Sequence, residues 1–289
     1  MNDRMKRRKR KYISILIVSS FVVFICAIAI IKTVDKKNVR VGAEKSIKLK
    51  NSKNPKKAMD KRESSLPPKS VNEAKGVISS GEYMPWNEKP TNGQKIAYLT
   101  FDDGPSLNNT PQILSLLKQN KINATFFLIG KNAEKYPSLV KEEVADGDAI
   151  GNHTYSHTLN YKEGPNGFVE DVNKCDEILK SIVGDKYDSK LLRFPGGSWD
   201  SKYLKLGAFR NAIASAGYHF VNWNDLNGDA EHGLTPANDL YERVIKETGN
   251  KQVVVILMHD AAAKTTTVKA LPNIIKYLKD KEYTFETLK

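Results

Sequence analysis

Cysteine is almost missing from this chain of 289 residues: Cys26 and Cys175 are the only two. Cys26 sits inside an apolar run, so Cys175 stands alone in the remainder and an internal disulfide framework is excluded there. Ile25 precedes Cys26 where a lipid-modified cysteine would follow a small residue, which argues against anchoring through that thiol. A basic surplus is also missing where it would matter for nucleic acid. The net charge is +13, yet residues 1–75 hold twenty-one Lys/Arg against six Asp/Glu, leaving 25 against 27 beyond them. The part able to fold has no cationic excess with which to track phosphates, so nucleic acid is not expected as a partner.

Charge of either sign is absent from Ile13 to Ile31, ISILIVSSFVVFICAIAII. About 20 apolar residues are what a helix needs to cross the hydrocarbon core, so this run is expected to span a membrane. The basic segment 1–12 before it should remain cytoplasmic, which places everything after Ile31 outside the cell membrane. Ala27 to Ala29, the one Ala-x-Ala, lies within the run, and Lys32 follows it, so retention as a signal-anchor is favoured over cleavage. Residues 32–85 are rich in Lys, Asn and Ser, include Pro67 and Pro68, and read as a basic linker. The remaining 86–289 is expected to be one catalytic domain. No internal repeat is evident.

From Lys95 onward, apolar runs typical of buried strands alternate with amphipathic stretches. KIAYLTF comes first, then a helix from Pro111 capped by Thr110, ATFFLI near Ala124, and a helix near Pro137. Strands follow around Ala149 to Asn152, Leu191 to Arg193, Tyr218 to Trp223, Val253 to Met258 and Tyr283 to Thr287. About seven such alternations predict an α/β fold with parallel strands, either an open doubly wound sheet or a small barrel. Nearly every unusual polar residue follows a strand end, which favours the barrel.

Those polar residues form five clusters. KIAYLTF runs into Asp102-Asp103-Gly104-Pro105, two carboxylates held at a strand end, suited to one metal ligand and one neighbouring base. Histidine is scarce, five in all, and two of the five form His153-Thr-Tyr-Ser-His157, which would share one face if the segment is helical. With Asp103 they make an Asp/His/His set that leaves coordination sites open, as catalytic rather than structural metal sites do. Arg193-Phe194-Pro195-Gly196-Gly197 offers a fork for a carboxylate and glycines that let a backbone N–H approach a substrate oxygen. Trp223-Asn224-Asp225 through Asp229 is the fourth cluster. His259, at the mouth of the strand VVVILM, is a candidate for proton transfer.

In this order TFDDGP, HTYSH, RFPGG, NWNDLNGDA and ILMHD resemble the five motifs of the polysaccharide deacetylases with a NodB homology domain, the fourth carbohydrate esterase family. The resemblance covers about Lys95 to Lys289. It implies a distorted (β/α) barrel of seven or eight strands. It also implies that Asp102 is the catalytic base, that Asp103, His153 and His157 bind one divalent ion, zinc foremost with cobalt or nickel as alternatives, and that His259 is the acid. Arg193 would orient the base, Asp229 would tune the acid, and the Gly196 N–H would face the oxyanion. Leu257, Pro195 and Trp223 would line the substrate pocket. Two positions depart from the motifs: Gly196 stands where many relatives carry Tyr, and Ala230 where motif four commonly ends in Trp.

The activity so implied is hydrolytic removal of N-acetyl groups from a cell-wall polysaccharide, peptidoglycan or another N-acetylglucosamine polymer, with release of acetate. An O-acetyl esterase on the same scaffold and a catalytically weakened glycan-binding relative are the alternatives. Nothing in the sequence speaks to oligomeric state.

Overall fold

The computed structural model describes residues 81–159, 162–202 and 204–288. The expected span Ile13 to Ile31 and nearly all of the linker lie outside the described residues. Among those described, no helix is long and apolar enough to cross a membrane.

Among the described residues the elements are nine strands in one sheet and seven α-helices; the strands are β1 Gly81–Tyr83, β2 Lys95–Gly104, β3 Thr125–Leu128, β4 Ala149–Asn152, β5 Leu191–Leu192, β6 His219–Val221, β7 Asp225–Leu226, β8 Val253–His259 and β9 Tyr283–Phe285. Seven α-helices lie between them: α1 Thr110–Asn120, α2 Gly130–Lys135, α3 Pro137–Asp146, α4 Gly164–Val183, α5 Gly207–Ser215, α6 Ala237–Thr248 and α7 Thr265–Asp280. The order across the sheet is β1-β6-β5-β4-β3-β2-β8-β7, with β9 also paired to β2. Every pairing is parallel. Among the described residues no pairing joins β1 to β7, so the parallel sheet curls into a half-barrel without closing on itself.

The seven or eight strands expected become nine. The two not foreseen, β1 and β7, are three and two residues long, too short to carry a periodicity. Strand β1 falls inside 32–85, the range composition assigns to the linker. Its Gly81 pairs with His219, so the sheet begins before residue 86.

Alternation along the central strands explains both the core and the site. On β2, Ala97, Leu99 and Phe101 point to one face and join Val254, Ile256 and Met258 of β8 in the main core beneath the helices. Each of these larger side chains, fully buried, contributes roughly 1.5–3 kcal/mol. Ile96 and Tyr98 point the opposite way and meet Phe127, Leu191, Val221, Val253 and Val255 inside the curl. Leu288 closes that interior cluster from the C-terminus, its N–H donating to Thr125 Oγ1 at 2.9 Å. A strand buried on both faces reads as one apolar run, as KIAYLTF and VVVILM do. By the same two-residue period, Thr100 and Asp102 on β2 and Leu257 and His259 on β8 continue along the interior face toward the C-terminal ends of the strands. A separate aromatic cluster of Phe168, Phe194, Phe209 and Phe220 packs α4 and α5 against β5 and β6.

Candidate active site

Asp102 and His259 are Cα partners in the β2–β8 register, so the pairing of two buried strands fixes a carboxyl and an imidazole side by side. Asp102 is 2% exposed. Its Oδ1 accepts a hydrogen bond from Arg193 Nη1 at 3.0 Å, and its Oδ2 lies 3.8 Å from His153 Nε2.

Arg193, at the end of β5, is completely buried. Its guanidinium also donates to Thr100 Oγ1 at 2.6 Å and to the carbonyls of Val221 and Asn222 at 3.3 and 3.1 Å. Its flat face covers the Phe127 ring, 4.2 Å from the centroid. Burial lowers the guanidinium from its ordinary value while Asp102 opposes the shift; a group that starts above 12 remains charged. Phe194 points the other way into the aromatic cluster, 4.9 Å from Phe168, which pins the strand end that carries Arg193.

His259 completes a second pair. Its Nδ1 meets Asp229 Oδ1 at 2.7 Å, and its backbone N–H donates to Asp229 Oδ2 at 2.9 Å. Thr267 donates to the same Oδ2 at 2.6 Å. A carboxylate accepts only, so Nδ1 carries the proton and Nε2 is the ring nitrogen left to exchange one. Burial would lower the imidazole, but the hydrogen bond and charge of Asp229, with Asp102 and Asp103 farther off, push it up to about 9. Asp229 is lowered in return, against its own burial, by the same partner and by Thr267.

The segment that carries His153 and His157 is not helical. The segment is a bend in which Thr154 and His157 have φ of 64° and 58°, left-handed values that no α-helix contains. Spacing suggested one helical face, whereas hydrogen bonds specific to this loop bring the rings together, 5.0 Å between centroids. Asn152 Oδ1 accepts from the Thr154 N–H, Thr154 Oγ1 from the His157 N–H, and Asp171 on α4 from the Ser156 N–H and hydroxyl. Asn152 is itself held by Asp176 of α4 at 2.8 Å.

Asp103, with φ of 72°, turns away from Asp102 toward this bend. Its Oδ1 lies 2.9 Å from His157 Nε2 and 3.4 Å from His153 Nε2. Gly104 follows because a Cβ there would overlap the Asp260 carboxylate.

The three side chains Asp103, His153 and His157 fit a cation. Their ligand atoms lie within 4.8 Å of one another. His153 Nδ1 faces the Arg193 carbonyl at 2.8 Å, which can only accept, so Nε2 is left with its lone pair toward Asp103. Asp103 Oδ1 is buried and makes no well-directed hydrogen bond within the protein, an orphaned acceptor that a positive ion would satisfy. Two imidazole nitrogens and one carboxylate oxygen make a donor set suited to zinc and its neighbours, with coordination positions to spare.

Of the other residues singled out, Leu257 and Trp223 line one cavity of about 190 Å³ together with Asp229 and Ala230, but Pro195 is not part of its lining. Gly196 has φ of 75° and is exposed, and its N–H has no acceptor among the described residues, so the donor is free for a substrate oxygen. Asp225, in the same motif as Asp229, is directed elsewhere and bonds Thr248 at 2.6 Å. Thr100, Asn152, Asp171, Asn222 and Thr267 were not anticipated. They support the site from strand, helix and strand-end positions where a single polar residue has no local signature.

The polysaccharide deacetylase model matches residues 89–221. A peptidoglycan-N-acetylglucosamine deacetylase of Bacillus cereus is 36% identical over 198 residues, 67% of this chain and 69% of that protein. Another of the same name and organism is 35% identical over 215 residues, 71% of this chain and 91% of its own length. A solved CE4 esterase of Streptococcus mutans superposes with a TM-score of 0.62 at 36% identity, covering 68% of this chain and 87% of that one.

Proposed function

The chain belongs to the polysaccharide deacetylase family, and from that premise we propose that it is a hydrolase releasing acetate from the N-acetylglucosamine units of peptidoglycan, with zinc as its ion. Metal dependence is general in this family. The observation that carries the reading is the pair of hydrogen-bonded couples, Asp102 with Arg193 and His259 with Asp229, set side by side next to the Asp103, His153 and His157 cluster. Hydrolysis of an acetamide needs these parts: a base for water, an acid for the departing amine, and positive charge for the oxyanion.

Asp103, His153 and His157 would hold the ion, which when bound would supply Lewis-acid polarisation of the acetamide carbonyl and of water. Asp102, fixed through Oδ1 by Arg193, presents Oδ2 to take the proton from the attacking water. The Gly196 N–H donates to the oxygen that gains charge. His259 delivers the proton on Nε2 to the amine nitrogen as the C–N bond breaks, while Asp229 stabilises the charged ring. Leu257 and Trp223 shape the apolar space for the acetyl methyl.

We also propose that the domain acts outside the cell membrane, held by a single-pass anchor. The uncharged run Ile13 to Ile31 and the basic segment before it support this reading.

The test is acetate release by the full chain from N-acetylglucosamine oligomers, purified peptidoglycan and O-acetylated oligosaccharides, in membrane and soluble fractions of expressing cells. Release from the N-acetyl substrates in the membrane fraction, lost with chelator and restored by zinc, is expected. His153→Ala should lose both ion and activity. Undiminished release from a His153→Ala protein that no longer binds metal would sink the mechanism, and release from O-acetyl substrates alone would make it an esterase.

Replacing Asp229 by Asn should move the alkaline limb of the pH–rate profile downward. In the native protein the raised His259 keeps its proton into alkaline solution, and the stabilisation it contributes is fully present below about 6.5 and lost as pH rises through about 9. Without the anion, burial is the dominant influence and it favours the neutral ring. An unmoved limb would show that another group sets it.

A further inference from the structure

Large apolar side chains are almost all covered in this fold. Among the described residues only Leu107, Trp199 and Leu234 stand exposed, at 68%, 49% and 64%. Each lies in a loop beyond the C-terminal end of a strand: Leu107 after β2, Trp199 after β5, Leu234 after β7. In a parallel sheet those ends share one face, and here it is the face that carries Asp102 and His259. Single exposed apolar residues carry no message, but three confined to the mouth of one catalytic face form a rim.

Trp199 is the member of this rim with the most structure behind it. Its ring meets Trp223 edge to face, 4.6 Å between centroids at 85°. Trp223 in turn lines the cavity with Leu257 and Asp229 and lies 5.7 Å from the Arg193 guanidinium. The loop that presents Trp199 is tied down: the Ser198 N–H donates to Asn222 Oδ1 at 2.9 Å, Asn222 Nδ2 to Ser198 Oγ at 2.7 Å, and Arg210 to the Ser198 carbonyl at 2.6 Å. Gly197 has φ of 88°, and a Cβ there would come within 2.6 Å of the Trp199 ring. The glycine is what lets the indole fold back against its own loop.

An ordered, half-exposed indole beside a polar site suits a ligand with alternating apolar and polar surface. A pyranose is such a ligand, since its axial C–H groups make an apolar face and its hydroxyls a polar edge. Resting on the reading that the substrate is an N-acetylglucosamine polymer, we propose that Trp199 is the stacking platform for a sugar flanking the one that loses its acetyl group.

The experiment measures binding of an N-acetylglucosamine pentasaccharide by titration calorimetry to the zinc-loaded full chain in an Asp102→Asn background, so that the sugar is not consumed. Trp199→Ala should raise Kd roughly tenfold at constant zinc affinity, and Trp199→Phe, which keeps a ring, should recover most of the loss. An unchanged Kd in Trp199→Ala, a parallel loss of zinc affinity, or no pentasaccharide binding by the parent would each overturn the assignment. Acetate release by the unmutated chain, assayed alongside, tests the deacetylase reading separately: ring-dependent binding without release would fail that reading and leave the platform standing.

Discussion

Asparagine at position 102 should lower acetate release roughly 10²–10⁴-fold while the ion stays bound. The substitution is nearly isosteric, and the amide oxygen can still accept from Arg193 Nη1, now 3.0 Å from the carboxylate. What disappears is the ability to take up a proton from water. Because the proposed ligands are Asp103, His153 and His157 and not Asp102, zinc affinity read by calorimetry should match that of the unmutated protein. The two readouts therefore separate, low rate with full metal occupancy, whereas replacing a ligand lowers both. A variant that keeps more than a tenth of the rate would assign proton uptake to another group.

Methionine at position 193 should destabilise the fold by about 3–5 kcal/mol, the usual consequence of removing one member of a buried ion pair. In a domain of this size that corresponds to a fall in Tm of roughly 10 °C. The side chain is similar in volume, so the loss is electrostatic rather than a cavity effect. Asp102 would lose its buried counter-charge, and Thr100 and the carbonyls of Val221 and Asn222 would lose the donors they now share. The rate should fall by more than tenfold at temperatures where the variant is folded, because Oδ2 of Asp102 is no longer fixed. Denaturant melts and initial rates on one preparation check both parts. A stability change under 1 kcal/mol would mean that water replaces the guanidinium without loss.

The sequence made the central strands readable because burial on both faces leaves an uninterrupted apolar run, and β2 and β8 are where such runs end in Asp102-Asp103 and His259. Strands β1 and β7 were invisible for the opposite reason: three and two residues cannot express a period. The pair His153 and His157 was legible as a set but not as a shape. Four-residue spacing mimics a helix turn, whereas the bend depends on Asn152, Thr154 and Asp171, whose bonding is decided by tertiary contact with α4. Motif order brought out the stretch holding Asp225 and Asp229; in the fold only the latter meets His259, and Asp225 braces Thr248 instead. Trp199 carried no sequence signal, because an aromatic residue in a loop is ordinary until its neighbours are known.

The β2–β8 seam has a consequence for how the molecule comes into being. Thr100 bonds across that seam to Ile256, 156 positions away, and Asp102 and His259 meet at its end. Contacts of such separation form late, since the entropy of closing a long loop opposes them until much of the sheet is in place. The proposed ligands Asp103, His153 and His157 all lie in the first part of the domain, well ahead of β8. A nascent or truncated chain ending before β8 therefore carries the three proposed ligand residues without His259, the proposed acid. On the proposed mechanism such a chain lacks the group that protonates the leaving amine, so hydrolysis waits for the β8 segment.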